Sequence, residues 1–228
     1  MKWFLTLLLL FAVNKHFSQQ LSNIVFQPVV GKNILEPGKM YSSERNRNFS
    51  VTALKFFVSD FRVVLVNETE IKSNDCWLID LDEKASLQRI MSISGNPAIR
   101  SVYFKVGVPV EANTAGALSG DLDPSSGMYW SWQSGYINFK IEGTSPVCKT
   151  HDNEFSFHLG GYKPNEQTAR QIDLHYLYPN TSGKAVLNID VSKLLENIDL
   201  SNKSTVNIPG VEAVQMADLI SKIFSLSE

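Results

Sequence analysis

Apolar and polar residues alternate over short stretches along most of the chain. In a strand, successive side chains point to opposite faces, so such alternation predicts half-buried β-structure. Residues 99–108 put Val102, Phe104, Val106 and Val108 on one side and Tyr103 and Lys105 on the other. Residues 135–142 set Tyr136, Asn138, Lys140 and Glu142 against Ile137, Phe139 and Ile141, and residues 154–159 set Glu154, Ser156 and His158 against Phe155, Phe157 and Leu159. Residues 23–30 read as a first strand stopped by Gly31, 76–80 as a short strand, and 171–177 and 185–191 as further strands. Residues 49–66 are rich in Val, Phe and Leu and read as a strand pair or one bent strand, irregular at Ser59 and Asp60. Turn clusters such as Glu36-Pro37-Gly38, Gly160-Gly161 and Ser182-Gly183 punctuate them. Helical spacing is confined to one or two turns at 191–198 and to 211–224, where Val211, Val214, Ala217, Ile220 and Phe224 follow Pro209-Gly210. The pattern predicts an all-β domain, an antiparallel β-sandwich or barrel with a short C-terminal helix, and disfavours a doubly wound α/β fold.

The N-terminal segment breaks this pattern. Met1 and Lys2 precede an apolar run over residues 3–13, then polar residues and a small residue, Ser18. The run is shorter than the ~20 residues a membrane-spanning helix needs. It reads as a secretory signal over residues 1–20, with one β-domain over 21–228; an N-terminal membrane anchor is the competing reading. The expectation is an exported protein, periplasmic or extracellular, with no transmembrane segment after signal cleavage. With 21 Lys and Arg against 23 Asp and Glu, the net charge of −2 offers no basic field for nucleic acid. Two cysteines, Cys76 and Cys148, could form a disulfide outside the cell; closing so long a loop stabilises by ~4 kcal/mol in the chain-entropy model. Their spacing matches no metal motif, so a disulfide or inert thiols are expected in preference to a thiolate site.

The candidate chemistry concentrates in Gly127-Met-Tyr-Trp-Ser-Trp-Gln-Ser-Gly-Tyr136. Trp130 and Trp132 lie two apart and share a face in a strand. Trp132 and Tyr136 are bracketed by polar residues and glycine, so the cluster can line a rigid concave site or form an aromatic corner of the core. No catalytic nucleophile or base stands out. Gly-x-Ser-x-Gly and phosphate-cradling loops are absent, Asp121 and Asp123 read as a capped turn, and Asp80, Asp82 and Glu83 as a solvated loop. An enzyme is not expected.

Ordered blocks carry a resemblance. Leu54-Lys-Phe-Phe-Val-Ser-Asp-Phe61, Trp77-Leu-Ile-Asp80, Phe104-Lys-Val-Gly-Val-Pro109 and Gly120-Asp-Leu-Asp-Pro124 lead to the aromatic block, then Lys140-Ile-Glu-Gly143 and Phe155-Ser-Phe-His-Leu-Gly-Gly161. Together they resemble the MbnP-like family from about residue 23 to about residue 191. The resemblance implies an exported β-domain. Members encoded beside methanobactin genes bind copper, and a di-haem peroxidase-like oxidase converts a tryptophan to kynurenine, which supports the metal site with histidine. On that likeness His158 is the ligand, and Trp130 or Trp132 the modified residue. The family often has His where this chain has Trp77.

Residue chemistry adds two further candidate ligands. His175 shares its strand face with Asp173 as an orienting partner, and Met128 offers a soft thioether beside the Trp block. His151, seven residues before His158, falls on the opposite face under strict alternation. The leading expectation is an exported copper-binding or copper-handling protein using His and an oxidised Trp. The alternative is a non-metal module whose aromatic surface binds a glycan or peptide.

Overall fold

The computed structural model describes residues 19–94, 98–131 and 134–227. Residues 1–18 of the expected signal 1–20, and Trp132, lie outside the described residues. The strands are β1 (Gln19–Val30), β2 (Asn33–Ile34), β3 (Met40–Ser43), β4 (Arg47–Leu65), β5 (Glu70–Lys72), β6 (Trp77–Asp80), β7 (Gln88–Ser94) and β8 (Ile99–Val106). After helix α1 (Val110–Ala115) come β9 (Tyr129–Ser131), β10 (Gly135–Thr144), β11 (Glu154–Gly160), β12 (Arg170–Asn180) and β13 (Lys184–Asp190). Helix α2 (Val191–Leu195), β14 (Thr205–Val206), helix α3 (Val211–Ile220) and β15 (Phe224–Leu226) complete the chain.

Two sheets form a sandwich, not a closed barrel. The smaller runs β15-β13-β1-β2, with β7 also on β1. The larger runs β12-β8-β4-β10-β11-β14, with β3, β5 and β6 along β4 and β9 on β10. Both sheets are mixed: β1 pairs β13 in parallel and β11 pairs β14 in parallel, within an otherwise antiparallel arrangement. The stretch expected as a strand pair or a bent strand is one 19-residue strand, β4. It bends where the sequence turns irregular: Asp60 has φ 51°, and the register with β8 shifts between Ser59 and Arg62.

Inward positions of both sheets build the core. Phe26 of β1 meets Phe56, Phe61 and Phe104 edge-on, at 6.1, 6.4 and 6.3 Å between ring centres. Ile24, Leu187 and Ile189 of the small sheet and Phe139 and Phe157 of the large one are likewise buried. Each such side chain stabilises by ~1.5–3 kcal/mol relative to exposure. Helix α2 starts where the Asp190 carboxylate accepts the Ser192 amide at 3.1 Å. Helix α3 ends at Ile220, short of the expected 224, because Phe224 pairs with Ile189 as an edge strand. Among the described residues, no helix is long and apolar enough to cross a membrane.

Candidate functional site

The outer face of the large sheet carries the candidate residues. Along β10 and β11, Phe139, Ile141, Phe155, Phe157 and Leu159 point into the core. The residues between them therefore point outward. The hairpin register sets Lys140 opposite His158 and Glu142 opposite Ser156. The next strand sets Lys55 opposite Lys140, and β6 sets Asp80 opposite Lys55. A polar row thus crosses four strands on one rung.

His158 stands at the β11 end of this row. Its Nε2 lies 2.6 Å from Glu142 Oε1 and 3.2 Å from Ser156 Oγ. Lys140 Nζ is 3.2 Å from the same Glu142 oxygen, and Lys55 Nζ is 2.8 Å from Asp80 Oδ2. Burial holds the His158 imidazole below its ordinary pKa, against the raising pull of Glu142. Burial pushes the Glu142 carboxyl up, but the hydrogen bonds from His158 and Lys140 outweigh it, and the group stays below its ordinary value. The pair at neutral pH is therefore a neutral imidazole against a carboxylate.

Beside the polar row lies a second, smaller apolar cluster. The segment between β8 and β10 folds back over the sheet and buries Phe57, Val108, Met128, Tyr136 and Ile137, with Trp130 packed against them. Two asparagines pin this cap. Asn138 accepts the Val108 amide at 2.9 Å and donates to Thr168 Oγ1 at 2.9 Å. Asn113 accepts the Tyr136 amide at 2.9 Å and donates to the carbonyls of Val108 and Pro109 at 3.3 Å. Gly135 has φ +73°, and a Cβ there would lie 2.3 Å from Asn113 Oδ1, so the turn into β10 requires glycine.

Trp130 links the cap to the polar row. Its ring lies over Gly160, where an added Cβ would meet Trp130 Cζ3 at 2.5 Å. Gly160 is two residues from His158 on the same face of β11, a step of about 6.7 Å along the strand. Indole and imidazole therefore occupy neighbouring positions on one surface.

The other expected residues fall elsewhere. Tyr136 lines no open aromatic surface; it is 1% exposed, and its hydroxyl accepts the Leu118 amide and donates to the Leu122 carbonyl, both at 2.9 Å. Met128 is fully buried among apolar side chains of the cap. His175 stands on β12, four strand spacings from β11 and so about 19 Å across the sheet before any offset along it. There its Nδ1 bonds Ser101 Oγ at 2.8 Å and its ring meets Tyr103 edge-on. His175 and His158 cannot share one ion. His151 is exposed and pairs with Asp152.

Cys76 and Cys148 form no disulfide: both thiols are free. Cys148 belongs to the inner core, whereas Cys76 packs against the cap on the other side of the sheet. Burial pushes the Cys76 thiol up to about 12, with Asp121 and Asp60 adding to it, so it is inert rather than metal-ligating at neutral pH. Trp77 packs with its ring 5.0 Å from that of Phe61 in the core, on the face of β6 opposite Asp80. The departure from the family's His therefore takes nothing from the surface around His158. Asp123 caps its turn, accepting the Ser125 amide at 2.8 Å.

Sequence reasoning missed Glu142, Ser156 and Lys140 as neighbours of His158. The signal was present: two alternating strands in succession, paired as a hairpin, bring their outward residues together. Asp80 was read as part of a solvated loop but is a half-buried strand residue bound to Lys55. As to a metal, no group of three or more His, Cys, Asp or Glu side chains comes together among the described residues. His158 is the one imidazole on this surface, and the Glu142 carboxylate beside it is bonded to its ring.

The solved structure titled "MbnP from Methylosinus trichosporium" matches this chain with a TM-score of 0.61 at 15% identity, covering 83% of this chain and 81% of that one. At that identity the likeness shows a shared fold. No curated protein matches. The family model described as MbnP matches residues 18–211, nearly all of both sheets, and the chain belongs to the MbnP family.

Proposed function

We propose that this protein is an exported copper-handling protein whose site is centred on His158, with Trp130 as the adjoining indole. One observation carries the reading. The Trp130 ring packs over Gly160, one outward position along β11 from His158. Histidine and tryptophan are the residue types the family uses for copper, and the fold sets these two side by side. Imidazole nitrogen suits both oxidation states of copper, and copper outcompetes most divalent first-row ions for such donors. His158 would supply nitrogen, its ring held by the Glu142 carboxylate. Met128, buried in the cap, would not reach the ion.

Kynurenine formation would be the work of a separate di-haem oxidase, with Trp130 its substrate on this surface and Trp132 the second candidate. Trp130 is half-buried, so a partner enzyme would dock against β9 and the cap to reach it. The chain's own part is to hold the indole against the sheet and keep the neighbouring imidazole neutral.

Equilibrium copper titration of the wild type, His158→Ala and His175→Ala tests the reading. Saturable binding lost in His158→Ala and retained in His175→Ala is the expected result; binding that ignores His158 would overturn it. Intact mass of the protein from its native host tests the modification. The loss of one carbon and gain of one oxygen on Trp130 or Trp132 supports it, and an unmodified mass in copper-replete cells counts against it.

A further inference from the structure

The sandwich is open along one side. Strand β7 is an outer strand of the small sheet and, among the described residues, pairs only with β1. Strand β5 hangs on β4 in the large sheet and pairs with no other described strand. Between the two lies a cleft of about 460 Å³, walled by residues 71–75 on one side and 89–92 on the other. The buried side chains of Trp77 and Met91 give it an apolar floor, and Asn74 and Ser92 give it a polar mouth. Ile90, 64% exposed, stands on the outer face of β7.

A free strand edge presents a row of unpaired N–H and C=O groups, and its complement is another extended backbone. Strand β6 shows how this fold closes an edge with side chains instead. There Asp121 accepts the Leu78 amide at 2.9 Å, and Arg89 of β7 donates to the Leu78 carbonyl at 2.9 Å. No side chain among the described residues does the same for the backbone of residues 90–92. Arg89 lies opposite the buried Ile24 and so points inward. An inward charge on an edge strand deters indiscriminate pairing. Here the guanidinium is already held by Leu78 and, at 2.8 Å, by Asp121, so it bounds the cleft rather than filling it. Its Nε is buried and makes no hydrogen bond among the described residues, a donor that the fold itself leaves unmet on this wall.

We infer that the cleft between β5 and β7 is a docking site for an extended segment of a partner protein, which adds as a strand to the free edge of β7. Alternate side chains of such a segment point inward, about 6.7 Å apart, and meet Trp77 and Met91, so those positions are apolar. The positions between them lie beside Ile90, and an oxygen of the entering strand supplies the acceptor that Arg89 Nε lacks. The site involves neither His158 nor Trp130 and stands apart from the copper reading.

Titration with an acetylated, fluorophore-labelled heptapeptide of alternating valine and threonine tests the inference. The control is the same peptide with a central proline, which removes a backbone donor and breaks strand pairing. Saturable binding of the alternating peptide alone is expected, with hydrogen-exchange protection gained by the β7 amides. Ile90→Lys sets a charge on the exposed edge and should weaken binding ~10-fold or more, with unfolding by denaturant unchanged. Ile208→Lys, at an apolar site that is also exposed but outside the cleft, should bind as the wild type does. No binding, equal binding of the proline peptide, protection gained away from β7, or indifference to Ile90→Lys would each overturn the inference.

Discussion

The two faces of the large sheet are built by different means. The inner face is a continuous layer of Phe, Ile, Leu and Val from every major strand, packed against β1, β13 and β15. The outer face is a patchwork: a small apolar cap under the segment between β8 and β10, then a row of charged and polar side chains on β4, β10 and β11. The inner face rests on non-directional burial, which tolerates no loss of volume. The outer face rests on a few directional contacts, Asn113, Asn138 and the Glu142–His158 pair, each removable on its own. The proposed site therefore lies on the face that contributes less to the core.

The largest effect should come from the inner face. Phe56→Ala removes a fully buried ring that touches Phe26, Phe139 and Phe224 and should cost ~3–5 kcal/mol in denaturant unfolding. A cost near that of a surface substitution would break the contrast. Next comes the cap. Asn138→Ala strands the Val108 amide and the Thr168 hydroxyl and should cost ~1–3 kcal/mol, with loss of protection of the cap amides in hydrogen exchange while β1 and β13 stay protected. Uniform loss across both sheets would show that cap and sandwich are one unit.

Gly160→Ala sharpens the link between cap and polar row. The new methyl would meet the Trp130 ring at 2.5 Å and the Tyr136 carbonyl oxygen at 2.6 Å, so the indole must move. A cost of ~1–3 kcal/mol with a shifted Trp fluorescence is expected; unchanged fluorescence would place the ring elsewhere. The smallest stability effect belongs to His158→Ala, within ~1 kcal/mol, since the hydrogen bond it loses joins part-exposed groups that water can serve instead. Thiol reactivity should not change at all between native samples with and without reductant. Both cysteines should stay unlabelled when folded, and both should react once the chain is unfolded in guanidinium. Absence of thiol in the unfolded, unreduced protein would restore the disulfide.

The sequence made the inner face legible because alternation reports burial directly. Phe155, Phe157 and Leu159, or Val102, Phe104 and Val106, could be assigned to the core by period alone, and the kink at Asp60 was visible as a break in an apolar run. The parallel pairings of β1 with β13 and of β11 with β14 were not legible, since they join segments whose partnership no local pattern encodes. The same holds for the cap. Met128 and Tyr136 looked like site residues because they flank the Trp block, yet packing against Phe57 and Val108 from earlier in the chain, with Asn113 holding the Tyr136 amide, draws them into an interior. His175 and His158 looked alike as strand histidines with a polar neighbour, and only the strand order separates them. Glu142 was recoverable in principle, from pairing two adjacent alternating strands, and was missed for want of that step.

The central claim is that one imidazole, that of His158, holds copper on the outer face. Pulsed EPR of the copper(II)-loaded protein reports the number of imidazoles bound to the metal. The account predicts nitrogen modulation from a single histidine, abolished by His158→Ala and untouched by His175→Ala. Modulation from two histidines, or a spectrum indifferent to His158, would contradict it.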